Sequence, residues 1–163
     1  MTISTDPDPV PLAGIIDQGI VRAWVAVQSW EAAVDFVGAL LVEAGKIQPS
    51  YISAMKRVLH ELGPYAVLAP GIVLLHARPE DGVLEPCLGL VTLSTPVPFG
   101  HSENDPVDLV FALGAVDKNA HIAGLKQLAE MLGNPDSLSK IRAARNDVEL
   151  FRVLISSGQI KAD

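Results

Sequence analysis

Residues 69–82 read APGIVLLHARPEDG. Ile72 to Leu75 form a strand-like apolar run that delivers His76 where the run stops. Arg78 follows two positions later, and a proline, two acids and a glycine close the segment. Upstream, YAVLA (65–69) is separated from this run only by Pro70 and Gly71, the composition of a tight turn. Downstream, CLGLVTL (87–93) follows through the RPEDG turn. Connections this short predict hairpins rather than βαβ crossovers. A further run, VDLVFALGAV (107–116), is apolar almost throughout, as expected of a central strand covered on both faces. The expected fold class is α/β: a mixed β-sheet flanked by α-helices in three layers, as a single domain.

The helices lie outward from that sheet. Ser29 is a predicted cap for a helix whose apolar positions Trp30, Ala33, Val34, Val37, Leu40 and Leu41 follow the helical period, with Gly45 as its stop. A second helix is predicted from Pro49, with Ile52, Met55, Val58, Leu59 and Leu62 on one face and Gly63–Pro64 as terminator. A third sets Ile122, Leu125, Leu128 and Leu132 inward and ends at Gly133, with Pro135 beyond. The last opens at Asn146, with Glu149 three residues on and Leu150, Phe151 and Leu154 buried. Near the start, LAGIIDQGI (12–20) suggests a short docking helix and RAWVAV (22–27) an alternating strand. Residues 1–11, with their acids and prolines, read as a disordered lead-in that is not a signal peptide. The expected domain spans 12–156, followed by a C-terminal tail at 157–163.

Composition narrows the function classes. The chain has 163 residues, 49% of them hydrophobic and only 5% aromatic, so aliphatic side chains must fill the core. A net charge of −7 with no Lys/Arg run argues against nucleic acid as a partner. The single cysteine, Cys87, excludes an internal disulfide and a cysteine-built zinc site. No apolar run approaches the length of a membrane span. A soluble, cytoplasmic protein is expected.

The chemistry sits with the histidines. Of the four, His60 falls in the last turn of the second helix, where a solvated cation suits the dipole. His101 lies in a turn beside Asn104 and Asp105, and turn chemistry accounts for it, as it does for Glu103, Asp105 and Asp108. His76 and His121 are different: each lies just beyond a strand end and opens the next segment. Strand ends beside helix N-termini are where α/β proteins gather anions. His121 falls in the first turn of the third helix, with Asp117 or Asn119 as its cap. A phosphoryl group on His76 would add about −1.5 to −2 charges, and Arg78, His121 and helix amides are the donors at hand to balance it. No H-x-x-x-H or H-E-x-x-H spacing supports a metalloenzyme built on His76, His101 and His121, so no metal and no cofactor is expected. Cys87 reads as a small buried hydrophobe.

Three stretches carry a resemblance: GPYAVLAPGIVLLHARPEDGV (63–83), LVTLSTPVPFGHSENDPVDLVFALGAVDKNAH (90–121) and LAEML (128–132). Together they resemble the mannitol/fructose-type enzyme IIA of the bacterial phosphoenolpyruvate-dependent sugar phosphotransferase system, and within it the ascorbate-type branch. The similarity runs from about Arg22 to Ile155. It implies a mixed sheet flanked by helices and a phosphotransferase that works as a phosphocarrier. The histidine matching His76 would take a phosphoryl group from HPr and pass it to a cysteine of enzyme IIB, which serves the membrane component, enzyme IIC. The histidine matching His121 would stabilise the phosphorylated state. A homodimer stays open.

Two positions depart from the family pattern. Leu75 stands where most members have proline before the active histidine. Val58 stands where the mannitol branch has an arginine, which ascorbate-type members also lack. Phosphate neutralisation must then rest on another group, and Arg78 is the candidate. The alternative role for Arg78 is a surface arginine paired with Glu80 or Asp81. The alternative function is a regulatory enzyme IIA-like domain, phosphorylated at the same histidine to control a partner protein.

Overall fold

The computed structural model describes residues 15–158. The lead-in at 1–11 and Leu12 to Gly14 lie outside the described residues, as do residues 159–163. A five-stranded sheet with strand order β1-β4-β5-β3-β2 forms the middle layer. Its strands are β1 (Ile16–Val25), β2 (Val67–Ala69), β3 (Ile72–Leu75), β4 (Cys87–Val97) and β5 (Val107–Gly114). Among the described residues the helices are α1 (Trp30–Glu43), α2 (Pro49–Leu62), α3 (Lys118–Leu132), α4 (Pro135–Ala143) and α5 (Asp147–Gly158).

The pleat explains why the central strands are apolar at every position. Ile72 and Leu74 of β3, with Leu109, Phe111 and Leu113 of β5, pack on the face covered by α3, α4 and α5. Val73 and Leu75, with Val110 and Ala112, pack on the face covered by α1 and α2. Both faces are therefore buried, and the three layers enclose two apolar cores. β5 is the middle strand, as its sequence predicts.

The pairing corrects one expectation. β2 and β3 form the predicted antiparallel hairpin, and β4 and β5 form another. β3 and β4, however, are not partners: β5 lies between them, parallel to β3 and antiparallel to β4. The RPEDG segment folds as a 3-10 turn at Pro79–Asp81 instead of a hairpin loop. Beyond it, Val83 makes an antiparallel bridge to Ile47, which carries the chain along the α1–α2 connection before it re-enters the sheet.

β1 corrects a second. Residues 16–25 form one strand, parallel to β4, where LAGIIDQGI had suggested a docking helix. The register shifts between Ile16 and Val21 and again between Arg22 and Val25. Gly19 donates its amide to Asp17 Oδ1 at 2.7 Å within the first irregular stretch. In the chain Ile16 and Ile20 stand four apart, the spacing of a helix face, yet in this strand they pack into opposite cores.

The helices largely follow their capping signals. Ser29 Oγ accepts from Ala32 N, Asp117 Oδ1 from Ala120 N, and Asn146 Oδ1 from Glu149 N. Gly45 sits at φ 75° just past α1, a conformation that favours glycine. α2 buries Tyr51, Ala54, Met55 and Leu59, a face rotated from the predicted one, and Leu62 is 60% exposed. In α3, Leu128 and Met131 point inward while Ile122 is exposed, contrary to its assignment to the core. α4 has no counterpart among the elements expected from sequence: Pro135, beyond the expected helix end at Gly133, occupies the first turn of a further helix behind the cap Asn134.

Candidate functional site

Two strand ends meet at one edge of the sheet. β3 and β5 run parallel, with Leu75 paired to Ala112, so their C-termini lie side by side. Continued one step, the alternation of β3 sends His76 toward the face of Ile72 and Leu74, the side on which α3 packs. β5 then leads through Ala115 and Val116 to Asp117, which caps α3 and sets His121 in its first turn. His121 N donates to Asp117 O at 3.0 Å. The two imidazoles come together with ring centroids 5.4 Å apart and planes inclined by 48°.

Each ring has a defined state. His76 Nδ1 lies 3.0 Å from the carbonyl oxygen of Leu74. A carbonyl only accepts, so Nδ1 carries the hydrogen and the lone pair resides on Nε2. His121 Nδ1 is buried and has no hydrogen-bond partner among the described residues. Burial and the neighbouring His76 both push the His121 pKa below the ordinary histidine value, so the ring is held neutral.

The backbone after His76 is braced from α2. Tyr51 Oη accepts from Ala77 N at 2.9 Å and donates to Leu113 O at 2.8 Å, which ties the segment leaving β3 to the end of β5. Tyr51 is fully buried, and burial pushes its phenol well above the usual range. Ser50 Oγ adds a bond to Asp81 O at 3.0 Å, fixing the 3-10 turn to the same helix.

A cleft of about 940 Å³ opens over the pair, lined by His76, His121 and residues of α2, the 3-10 turn and the start of α3. Arg78 lines it and is exposed. The alternative role for Arg78, pairing with Glu80 or Asp81, does not occur through its side chain: among the described residues the ion pair to Asp81 comes from Arg57 Nη2 at 3.8 Å, while Arg78 contributes its backbone amide to Asp81 Oδ2 at 3.1 Å. Among the described residues the Arg78 guanidinium thus has no ion-pair partner, and it lines the same cleft as the two histidines. Val58 lines the cleft as well, and so does Arg57, its neighbour on α2. Sequence reasoning missed Arg57, Lys118 and Tyr51. The i,i+4 spacing of Arg57 and Glu61 on a predicted helix was the available signal for the first.

The remaining candidates lie elsewhere. His101 sits between β4 and β5, at the opposite end of the sheet, where its Nδ1 accepts from Glu103 N and Asn104 N. Asp105 there accepts the amides of Phe99, Gly100 and His101. Both residues are turn chemistry, as expected. Asp108 instead pairs with Arg142 on α4, at 3.0 Å. His60 is exposed on the last turn of α2. Cys87 is buried at the start of β4, and burial pushes its thiol up to about 11. Among the described residues no group of three or more His, Cys, Asp or Glu is placed to hold a metal ion, and no helix is long and apolar enough to cross a membrane.

Known proteins share the sequence and the fold of this chain. The family model for the phosphoenolpyruvate-dependent sugar phosphotransferase system, EIIA 2, matches residues 15–157. The ascorbate-specific PTS system EIIA component of Shigella boydii serotype 4 (strain Sb227) is 36% identical over 135 residues, covering 82% of this chain and 88% of that protein. The mannitol-specific cryptic phosphotransferase enzyme IIA CmtB from Escherichia coli superposes with a TM-score of 0.79 at 29% identity, over 90% of this chain and 99% of that one. The fold is also that of Escherichia coli enzyme IIAMTL, solved in complex with phosphorylated enzyme IIBMTL, with a TM-score of 0.74 at 23% identity over 87% and 99% of the two chains. A parallel pair of strand ends presenting two histidines at a helix N-terminus, within a family match over nearly the whole described chain, leads to one conclusion: the protein belongs to the EIIA type 2 family of the phosphoenolpyruvate-dependent sugar phosphotransferase system and is a phosphotransferase component of that system.

Proposed function

We propose that the protein is a cytoplasmic phosphocarrier that accepts a phosphoryl group from HPr on Nε2 of His76 and delivers it to the cysteine of an enzyme IIB. The observation that carries this reading is the hydrogen bond from His76 Nδ1 to Leu74 O, which leaves Nε2 as the free nucleophile in the cleft. The Nε2 lone pair forms the new P–N bond as the donor's P–N bond breaks, and that electron pair returns to the donor imidazole. Nδ1–H stays on the Leu74 carbonyl, so the ring becomes an N-phosphorylated imidazolium. Neutral imidazole is a good leaving group from such an N-phosphorylated imidazolium, which suits onward transfer to a thiolate. In that step the P–N electrons return to His76 and restore the neutral ring.

The protein's task is then positioning and charge balance. His121 serves as donor to the phosphoryl oxygens. Arg78, whose guanidinium has no ion-pair partner among the described residues, supplies the cation. The first amides of α3, at Lys118 and Asn119, have no intrahelical acceptor and add the positive end of the helix dipole. Leu62 and Val116, both lining the cleft and 60% and 46% exposed, offer apolar contact to a docking protein. The sequence relationship to the Shigella boydii protein favours an ascorbate-like substrate for the transporter, contacted by enzyme IIC and not by this chain.

The test is transfer. Protein labelled through enzyme I, HPr and phosphoenolpyruvate should hand its label to the enzyme IIB of an ascorbate-type system. Label that enters His76 but passes to no enzyme IIB would replace transport with the regulatory role at the same histidine.

A further inference from the structure

We propose that phosphorylation of His76 is coupled to uptake of a proton at His121, so that loading of this carrier is favoured as pH falls. The inference rests on His76 being the phosphoryl acceptor and concerns how that site is controlled.

The geometry carries it. His121 Nδ1 is buried with no partner among the described residues, an arrangement that leaves an imidazole hydrogen-bonding site unused in the unmodified protein. The ring centroid of His76 is 5.4 Å away, so a phosphoryl group on His76 adds its charge within a few ångströms of that ring. By the transfer written above, the His76 site changes from a neutral imidazole to a dianionic phosphoryl group on an imidazolium, a gain of one net negative charge. Among the described residues, no other side chain at the site is placed to absorb that change by protonation; the phosphoryl oxygens are the remaining proton acceptor. On α3 itself, Asp117 Oδ1 already accepts from Ala120 N at 2.7 Å, and Lys118 is a cation. From the segment after β3, Asp81 is engaged by Arg57 and by the Arg78 amide, Glu80 is exposed, and Arg78 is a cation. From α2, Glu61 is exposed and Arg57 is a cation. Apart from His76 and the phosphoryl oxygens themselves, His121 is the side chain among the described lining residues that starts neutral and can gain a proton near physiological pH.

The sign follows from linkage. In the free protein, burial and His76 hold His121 below its ordinary pKa. The added negative charge raises it, by about one to two pH units for a unit charge at this separation in a partly solvated site. Between the two values the phosphorylated form binds more protons, so the equilibrium for phosphorylation shifts toward product as pH falls, by up to roughly tenfold per pH unit. Above the raised value neither form is protonated at His121, and the dependence disappears.

The full chain can be phosphorylated with phosphoramidate, which releases ammonia and needs no partner protein. Mass spectrometry then assigns the modified residue, and NMR follows each imidazole through a pH titration. The expected result is label on His76 and an upward move of the His121 midpoint by about one to two pH units. His121→Gln, which cannot be charged, should remove the His121 share of the proton uptake measured in weakly buffered solution and leave only that of the phosphoryl oxygens. Label on His76 with the His121 midpoint unmoved or lowered overturns the coupling alone. Absence of label on His76 overturns the acceptor assignment and the coupling with it.

Discussion

The hydroxyl of Tyr51 holds the backbone on which His76 depends: it accepts the Ala77 amide at 2.9 Å and reaches Leu113 O at 2.8 Å. One buried phenol thus joins α2, the end of β3 and the end of β5 at the point where the two histidines meet. Tyr51→Phe keeps the packing volume and removes only the oxygen. It leaves a buried N–H and a buried C=O unpaired, at a cost of about 1–3 kcal/mol. Urea unfolding should show that loss. The phosphorylation rate of the still-folded variant should fall too, because the segment after His76 is released. Unchanged stability and rate would remove Tyr51 from any positioning role.

His121 should matter more to the phosphorylated state than to the free protein. Losing one charge-assisted hydrogen bond is worth about 1.5–3 kcal/mol, or roughly ten- to more than a hundredfold in rate or equilibrium. His121→Ala should still accept phosphate, but slowly, and should transfer poorly to enzyme IIB. His121→Gln should fall between Ala and wild type. Rapid-quench measurement of both half-reactions decides: near-normal rates with a lowered melting temperature would reduce His121 to a helix residue.

The lowered pKa of His121 also predicts a stability profile. An unfolded histidine takes up its proton near pH 6.5, above the folded value, so falling pH favours the unfolded chain. The stability that a neutral His121 allows is present above about pH 6.5 and is lost as pH falls through the folded value. Melting temperatures of wild type and His121→Gln, compared between neutral and mildly acidic pH, should diverge against the wild type on the acid side. Parallel curves would mean that His121 titrates alike in both states.

Cys87 should be chemically silent. Its thiol is buried and pushed up to about 11, and its sulfur lies beside Gly114, where an added Cβ would come within 2.7 Å of it. A thiol reagent at mildly alkaline pH should label the unfolded chain and spare the folded one. Cys87→Ser should keep phosphoryl acceptance and lose about 1–3 kcal/mol of stability. A folded serine variant that no longer accepts phosphate would make the histidine-only mechanism wrong.

Much of this architecture was legible because single residues carried it. Ser29, Asp117 and Asn146 announce their helices through side chains that cap them. The apolar continuity of 107–116 places β5 in the middle of the sheet. What escaped was non-local. Whether β3 pairs with β4 or receives β5 between them depends on which strand best covers its second edge, and chain order does not encode that. β1 was hidden because Ile16 and Ile20 stand four apart in the chain, as on a helix face, while the irregular strand sends them to opposite cores. At the site, His76 and His121 stood out because strand ends deliver them. Arg57, Lys118 and Tyr51 did not, because a charged or aromatic residue on an amphipathic helix looks alike whether it faces a cleft or a core.

The central claim, that His76 Nε2 is the phosphoryl acceptor, is tested most directly by loading the protein with enzyme I, HPr and phosphoenolpyruvate and mapping the modified atom. The account predicts one acid-labile phosphoryl group, on Nε2 of His76, and none on a folded His76→Ala variant. A His76→Ala variant that loads like wild type, or a phosphoryl group found on Nδ1, would contradict it.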